Sequence, residues 1–188
     1  MEHTPDLIDA TATILSRLDQ VSEAQFADLT PCEGWTVSEL IGHLTAGNLM
    51  AIALINGVTT DEAKAIIGAP IEGDLLEACR TTLNEQVEAL EGPIAADAIV
   101  HHPMGDIPVS QLLEFRIGDL VLHSWDLARA LSIDETLPEA LVERVYASLK
   151  PMESFIGQIG VFGEGPSGDV DESASLQAKL LDLTGRRP

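Results

Sequence analysis

The amino-acid sequence predicts an all-α protein, built as an antiparallel four-helix bundle with short additional helices. Apolar residues recur at helical spacing in four long segments, and several of these segments begin with recognisable capping residues. Hydrophobic residues make up 45% of the 188 residues but aromatic residues only 4%. The core must therefore consist mainly of Leu, Ile, Val and Ala side chains, which favours helices over a β-sandwich. We expect one domain, with the bundle over residues 1–156 and a C-terminal loop and short helix packed on it over residues 157–188.

Charge and cysteine content restrict the function and the compartment. The formal net charge of −21 argues against binding to nucleic acid or to anionic membrane surfaces. The two cysteines, Cys32 and Cys79, are too few for a disulfide framework. No apolar run is expected to reach the length of a membrane span, and no signal peptide is recognised at the start of the chain. These features predict a cytoplasmic protein.

The first two helices are predicted from periodicity and capping. A helix is expected over about residues 5–21, followed by a linker broken by proline and glycine. The second helix begins with a T-x-x-E capping box made by Thr36 and Glu39. Trp35 and Leu40 are placed to form a hydrophobic staple across that start. This is the clearest helix start in the chain.

The remaining elements follow from similar signals. Periodicity, capping residues and turn residues predict a short helix over 60–67, a long helix over 74–90, an extended excursion or hairpin over 98–109, a central helix from the cap Ser110 to Leu131, a fifth helix over about 137–150, a loop over 157–173 and a short helix over 174–183. The long helices would bury their apolar stripes against one another, which is the usual basis of a bundle.

The central helix carries the most informative pattern in the chain. Apolar residues point in nearly every direction around residues 115–130, which is typical of a buried helix. Yet Arg116, Asp119, His123 and Asp126 fall within one strip about 80° wide on a helical wheel. Buried ionisable groups are costly unless each is paired or binds something. Asp119 and His123 are four residues apart, so one divalent ion could contact both side chains.

His43 on the second helix is the best candidate for a third metal ligand. It lies at the edge of that helix's apolar face, so its side chain is expected at the bundle interior or its rim. Two metal-free alternatives remain at this stage. His43 could be a core histidine bonded to a carbonyl, and Asp119 with His123 could be a buried ion pair.

Other polar residues allow more than one role. Arg116 could hold a substrate carboxylate or pair with Asp119 or Asp126. Asp126 could orient a ligand histidine or have a helix-surface or linker-capping role. His101 and His102 are expected to be solvated loop histidines, although one could reach the rim of the site. Cys32 is a half-buried structural cysteine or a reactive thiol.

Three segments are similar to a known family. The run TPCEGWTVSELIGHL over 30–44 resembles the first metal-ligand helix of DinB-like proteins, and most closely the metal-binding N-terminal domain of mycothiol-dependent maleylpyruvate isomerases. The run GDLVLHSWDL over 118–127 resembles the second ligand motif of that domain, an acid followed four residues later by His. The ending LLDLTGRRP over 180–188 is similar to that of a single-domain subgroup.

The resemblance implies a metal site and a thiol cofactor. It maps the metal ligands onto His43, Asp119 and His123, with Asp where the isomerase has Glu. Three ligands leave positions open on the ion, the pattern of catalytic sites, and N/O donors suit Zn²⁺, Ni²⁺ or Fe²⁺. The implied cofactor is a low-molecular-weight thiol such as mycothiol. The isomerase has a second domain that helps bind substrate, and 188 residues leave no room for it, so the electrophile stays open.

The sequence supports two functional hypotheses of different classes. The first is a metal-dependent thiol transferase or isomerase acting on a small electrophile, in which Arg116 and Asp126 are the candidate catalytic residues. The second is a non-catalytic metal-binding bundle, either a sensor or a protein that has lost its activity. A metal-free helical interaction module is the least favoured. The oligomeric state is left open, with a homodimer as one option.

Overall fold

The computed structural model describes residues 4–188, which are mostly helical. Its helices are α1 (Thr4–Leu18), α2 (Val37–Ile55), α3 (Thr60–Ile67), α4 (Leu75–Glu91), α5 (Val109–Leu131), α6 (Glu139–Leu149) and α7 (Leu176–Leu183). Its strands are β1 (Ile99–His102) and β2 (Gly105–Pro108), which pair antiparallel as a hairpin. Short 3₁₀ turns lie at Glu23–Gln25, Lys150–Met152 and Ile156–Gln158. The predicted all-α bundle with short additional helices is confirmed.

The bundle consists of α1, α2, α4 and α5, packed in a ring in which α2 contacts α4 and α5, and α1 contacts the same two helices. α2 runs antiparallel to α5, since His43 and Asn48 meet Asp119 and Arg116 respectively. α2 and α4 run in the same direction, because Thr45 lies near Cys79 and Asn48 near Thr82. This neighbouring pair is therefore parallel, unlike the antiparallel arrangement predicted from the sequence. The connection over residues 56–74, which contains α3, is long enough to return the chain to the end of the bundle where α2 begins.

The local signals for helix starts are mostly confirmed. Thr36 and Glu39 form the capping box of α2, and the predicted short helix 60–67 is capped in the same way by Thr59. Several boundaries differ from the prediction by one to three residues. α1 ends at Leu18, before about residue 21, and α5 begins at Val109, so the expected cap Ser110 lies inside the first turn of α5.

The central helix α5 is buried as its sequence predicts. Fifteen of its 23 residues are buried, including all of Leu120 to Ala128. Phe115 is an exception, with 37% of its surface exposed. The helix therefore forms one wall of the core while its ionisable strip faces α2.

α2 is long and apolar enough to cross a membrane by length and composition. That differs from the expectation that no apolar run in the chain reaches such a length. Eleven of the 19 residues of α2 are buried, and the helix packs against α4 and α5. Burial of this kind is what the core helix of a bundle requires.

In the C-terminal part of the chain, α7 contacts α6, and α6 in turn contacts α5 and α1 of the bundle. After α7 the chain turns sharply at Gly185, whose φ is +80°. A Cβ at this position would lie 2.7 Å from the Cα of Gly163, so a larger residue would not fit. This turn directs the final residues back toward α5. The division between residues 156 and 157 stays a prediction.

Candidate metal centre

The ionisable strip of α5 lies at the contact between α5 and α2. Asp119 and His123 are one helical turn apart, and the Nε2 atom of His123 lies 3.4 Å from the Oδ1 atom of Asp119. The side chain of His123 is 10% exposed and that of Asp119 is 22% exposed. The helical spacing noted in the sequence therefore places both groups on one partly covered surface.

His43 meets this pair from α2. Its Nε2 atom lies 3.1 Å from the Oδ1 atom of Asp119, and its side chain is 38% exposed. The predicted alternative of a core histidine bonded to a carbonyl is wrong, because the partner is a carboxylate and the ring reaches solvent. His43 closes the set of three predicted metal ligands, whose donor atoms all lie within 4.8 Å of one another.

The donor geometry fits a divalent ion. A metal about 2.1 Å from each ligand atom places tetrahedral donors about 3.4 Å apart. The two separations to Asp119 Oδ1, 3.1 and 3.4 Å, are close to this value. Two imidazole nitrogens and one carboxylate oxygen are donors that catalytic zinc sites of other proteins use, with further positions open on the ion. The opening lies on the side of His43, where the site reaches solvent.

Arg116 supports the carboxylate from the buried side. Its Nη1 atom donates to the Oδ2 atom of Asp119 at 2.9 Å, while Nε donates to Gln86 and Nη2 to Asn48. The residue is 5% exposed. Of the two roles considered for Arg116, the structure shows pairing with Asp119, and its guanidinium points into the bundle instead of toward an incoming substrate.

Room for this guanidinium is made by a glycine on α2. A Cβ at Gly47 would lie 2.6 Å from Nη1 of Arg116 and 3.1 Å from its Cζ. Such a distance is shorter than non-bonded contact allows, so a side chain there would displace the guanidinium. Gly47 therefore supports Asp119 indirectly, through the position of the Arg116 guanidinium.

Asp126 lies behind His123 and is not exposed at all. Its Oδ2 atom accepts a hydrogen bond from His123 Nδ1 at 2.8 Å. The Arg186 guanidinium donates to both carboxylate oxygens, with Nε to Oδ1 at 2.8 Å and Nη2 to Oδ2 at 2.6 Å. Asp126 is thus placed to orient a ligand histidine, as one of its two predicted roles requires.

Cys32 approaches the same carboxylate. Its Sγ atom donates to Asp126 Oδ2 at 3.3 Å and lies 3.8 Å from His123 Nδ1. Within residues 4–188, Cys32, His123 and Asp126 form a second set of convergent donors. The Arg186 guanidinium donates a hydrogen bond to each oxygen of Asp126, so this second set is a poor site for a cation. The set that contains His43 is the better candidate for a metal site.

An aromatic ring covers both histidines. The ring of Trp35 lies 4.9 Å from that of His43 and stacks on that of His123 at 6.0 Å, measured between centroids. The sequence predicted only a staple at the start of α2 for this residue. In the structure the Trp35 ring also packs against both histidine rings, so it covers one side of the site.

The charges of the site perturb its own titration. Burial alone would raise the pKa of Asp119, but the charge of Arg116, followed by those of the two histidines, holds it well below its usual range. Burial would lower the pKa of His123, but Asp119 and the neighbouring hydrogen bonds raise it well above 6.5. The metal-free site therefore favours an Asp119 carboxylate beside a protonated His123, and a metal would displace that proton.

Neither histidine of the hairpin belongs to a set of convergent donors within residues 4–188. His101 is exposed and pairs with Asp106 at 2.8 Å, as expected for a solvated histidine. His102 differs from that expectation, because it is 8% exposed and its ring packs edge-on against Phe115. Burial, and then the charge of Arg116, lowers the pKa of His102.

Several residues of the site were not recognised from the sequence. Arg186, Gln86 and Asn48 make hydrogen bonds that support the strip, and each lies on a segment other than α5. Asn48 was detectable in principle, as a polar residue on the apolar face of α2 one turn beyond Leu44. Arg186 carries no such signal, because it follows the last helix in an irregular segment.

Comparison with known proteins shows similarity to one family. The family model described as mycothiol maleylpyruvate isomerase N-terminal domain matches residues 7–128. Two uncharacterized proteins of Mycobacterium tuberculosis, from strains CDC 1551 / Oshkosh and H37Rv, are each 29% identical over 146 residues, which cover 74% of this chain and 72% of theirs.

Solved structures show the same fold. A crystal structure of the mycothiol-dependent maleylpyruvate isomerase superposes with a TM-score of 0.65 at 20% identity, covering 84% of this chain and 71% of that one. The structure of a histidine-to-alanine mutant of that isomerase gives the same TM-score at 19% identity.

Proposed function

Since this chain belongs to the family of the mycothiol maleylpyruvate isomerase N-terminal domain, we propose that it is a metal-dependent enzyme that uses a low-molecular-weight thiol. The reaction would transfer that thiol to a small electrophile or isomerise the electrophile through a thiol adduct. The observation that carries the proposal is the convergence of His43, Asp119 and His123 at a position open to solvent. Three protein ligands leave room for a thiol beside them.

The ligand residues would divide the work between them. When bound, a divalent ion would lower the pKa of a coordinated thiol and supply a nucleophile at neutral pH. His43 and His123 would hold the ion through their Nε2 atoms, and Asp119 would supply the anionic ligand. Asp119 is shorter by one methylene than a Glu ligand, and Arg116 fixes one of its oxygens at 2.9 Å. We therefore expect Asp119 to bind the ion through Oδ1 alone.

The cofactor is proposed from the family and the donor set. Mycothiol is the first thiol to test, because it is the thiol named for the related isomerase. Zn²⁺ and Ni²⁺ suit two imidazoles and a carboxylate, and Fe²⁺ is an acceptable third. We expect the protein to work in the cytoplasm on small molecules, and a homodimer is one assembly to test.

The experiment for metal binding compares two proposed ligand histidines with a control histidine of the hairpin. Metal content is measured in wild type, His43→Ala, His123→Ala and His101→Ala proteins. His101 also pairs with an aspartate at 2.8 Å, but among the described residues this pair is not part of any set of three donors. We expect one metal per chain in wild type and His101→Ala, and loss of metal in the other two. Full occupancy in all variants would refute the ligand assignment.

The experiment for catalysis follows thiol consumption against a panel of small electrophiles. Wild type and Asp106→Asn should be active, while metal-stripped protein and Asp119→Asn should not. Asp106 is a suitable control because it is the carboxylate of the hairpin pair. Equal rates in all four preparations would refute the enzyme hypothesis. Metal binding without any thiol consumption would favour the non-catalytic metal-binding bundle.

A further inference from the structure

The C-terminal segment contributes one side chain to the candidate metal centre. Arg186 lies in the final irregular residues of the chain, outside the part that the family model matches, which ends at residue 128. Its guanidinium nevertheless reaches the middle of α5 and binds Asp126 through two parallel hydrogen bonds of 2.8 and 2.6 Å. The Arg186 side chain is 11% exposed. Two parallel hydrogen bonds between a guanidinium and a buried carboxylate fix the orientation of the carboxylate as well as balancing its charge.

Asp126 transmits that geometry to a proposed metal ligand. Its Oδ2 atom accepts from Nδ1 of His123 at 2.8 Å, while Nε2 of the same ring lies 3.4 Å from Asp119 Oδ1. A carboxylate that accepts the far N–H of a ligand histidine fixes both the tautomer and the orientation of the ring. A series of hydrogen bonds therefore connects Arg186, through Asp126, to the His123 ring, whose Nε2 atom faces Asp119.

The guanidinium also makes the buried position of Asp126 tenable. The carboxylate has no exposed surface, and an uncompensated charge at such a depth is strongly disfavoured. His123 and Cys32 each supply one hydrogen bond to the same oxygen, Oδ2. Arg186 is the residue that binds Oδ1, so it sets the plane of the carboxylate. A lysine could supply charge there but not two parallel hydrogen bonds.

Local structure places the arginine for this contact. Gly185 has a φ of +80°, and its close approach to Gly163 leaves no room for a side chain. The Arg186 backbone N–H then donates to the carbonyl of Leu181 at 2.9 Å, which anchors the turn to α7. The direction of the Arg186 side chain is thus built into the end of α7.

We propose that Arg186 is a positioning residue of the metal centre, holding Asp126 and, through it, the His123 ring in the orientation that binds the ion. The inference rests on the proposed function, because it assumes a metal at His43, Asp119 and His123. It adds that the C-terminal segment is part of the centre. Arg187 is the natural control, since it follows directly, is 53% exposed, and contacts Asp182 and not Asp126.

The test uses Co²⁺ as the probe, with its dissociation constant and visible absorption spectrum as the two measurements. We expect Arg186→Ala to weaken Co²⁺ binding by roughly 10- to 100-fold and to change the spectrum. Arg186→Lys should recover only part of the affinity, and Arg187→Ala should match wild type within about twofold. Arg186→Lys also keeps the test usable if Arg186→Ala does not fold, which circular dichroism would show.

A double-mutant comparison tests whether the effect passes through Asp126. In an Asp126→Ala background, the further change Arg186→Ala should leave Co²⁺ affinity unchanged. Suppose that wild type binds Co²⁺ and that Arg186→Ala or Arg186→Lys binds it with the same affinity and spectrum as wild type. This result would overturn the inference about Arg186 but not the proposed function. Equal weakening by Arg187→Ala would overturn it too, since the effect would then be general to the segment. Absence of Co²⁺ binding by wild type would overturn the proposed function and this inference together.

Discussion

Replacing Gly47 by alanine should damage the site without touching a proposed ligand. A glycine-to-alanine change inside a helix is normally worth about 0.5–1 kcal/mol of added stability. At Gly47 the new Cβ would lie 2.6 Å from Nη1 of Arg116, so the guanidinium must move. Arg116 then loses one or two of its hydrogen bonds to Gln86, Asn48 and Asp119. Each bond to a charged group is worth about 1.5–3 kcal/mol.

Gly42→Ala is the matched control on the same helix, because a Cβ at Gly42 would meet nothing within 4 Å. The propensity gain is common to both variants, so Gly47→Ala should be less stable than Gly42→Ala by on the order of 2–4 kcal/mol. For a domain of this size that corresponds to a difference in Tm of roughly 4–16 °C.

The assay is urea denaturation of the metal-free proteins, followed by metal titration. We expect Gly47→Ala to bind metal more weakly, because Arg116 no longer holds Oδ2 of Asp119, and Gly42→Ala to bind as wild type does. Equal stability and equal metal affinity in the two variants would show that the guanidinium is not held as described.

Three further predictions concern protonation, thiol reactivity and metal removal. Burial raises the pKa of Asp126, but the His123 hydrogen bond and Arg186 lower it to about 2. The carboxylate should therefore contribute at most about 2.5 kcal/mol of stability, present above pH 4 and lost as pH falls through 2. Asp126→Asn should abolish this slope in acid denaturation curves, and an unchanged slope would contradict the assignment. Burial raises the pKa of Cys79 to about 11, so a thiol reagent should modify only Cys32 in the native protein. Cys32→Ser should therefore remove the reaction, and loss of the reaction in Cys79→Ser would contradict this prediction. Metal at 100 times its Kd should stabilise the protein by about 2.7 kcal/mol, while the chelated protein keeps its helices; chelation that abolished the helical circular dichroism would indicate a structural metal instead.

Local structure was predictable because its signals lie within a few residues of each other. The capping boxes at Thr36 and Thr59 join residues three apart, and both form as the spacing indicates. The hairpin over 99–108 follows from a short β-prone run and a turn. Ser110 was misassigned as a cap because Pro108, two residues earlier, already ends the extended segment.

The strip on α5 was predictable for the same reason. Residues Arg116, Asp119, His123 and Asp126 share one side of a helix at any position in a bundle, since the spacing alone places them there. The pairs Arg116–Asp119, Asp119–His123 and His123–Asp126 all lie within one turn. His43 was selected as third ligand because it lies at the edge of the apolar face of α2, and the family resemblance implied the same residue.

Contacts between segments were decided by the tertiary structure alone. Helical periodicity reports which way a side chain points around its own axis, but not how far one helix slides along another or in which direction it runs. The distance from His43 to Asp119 depends on that register, and so do the contacts of Cys32 and Arg186 with Asp126, which join residues 94 and 60 apart. The sequence determined the helices and the donor residues they present. Packing decided which donors converge, because burial of the apolar faces sets the register between them.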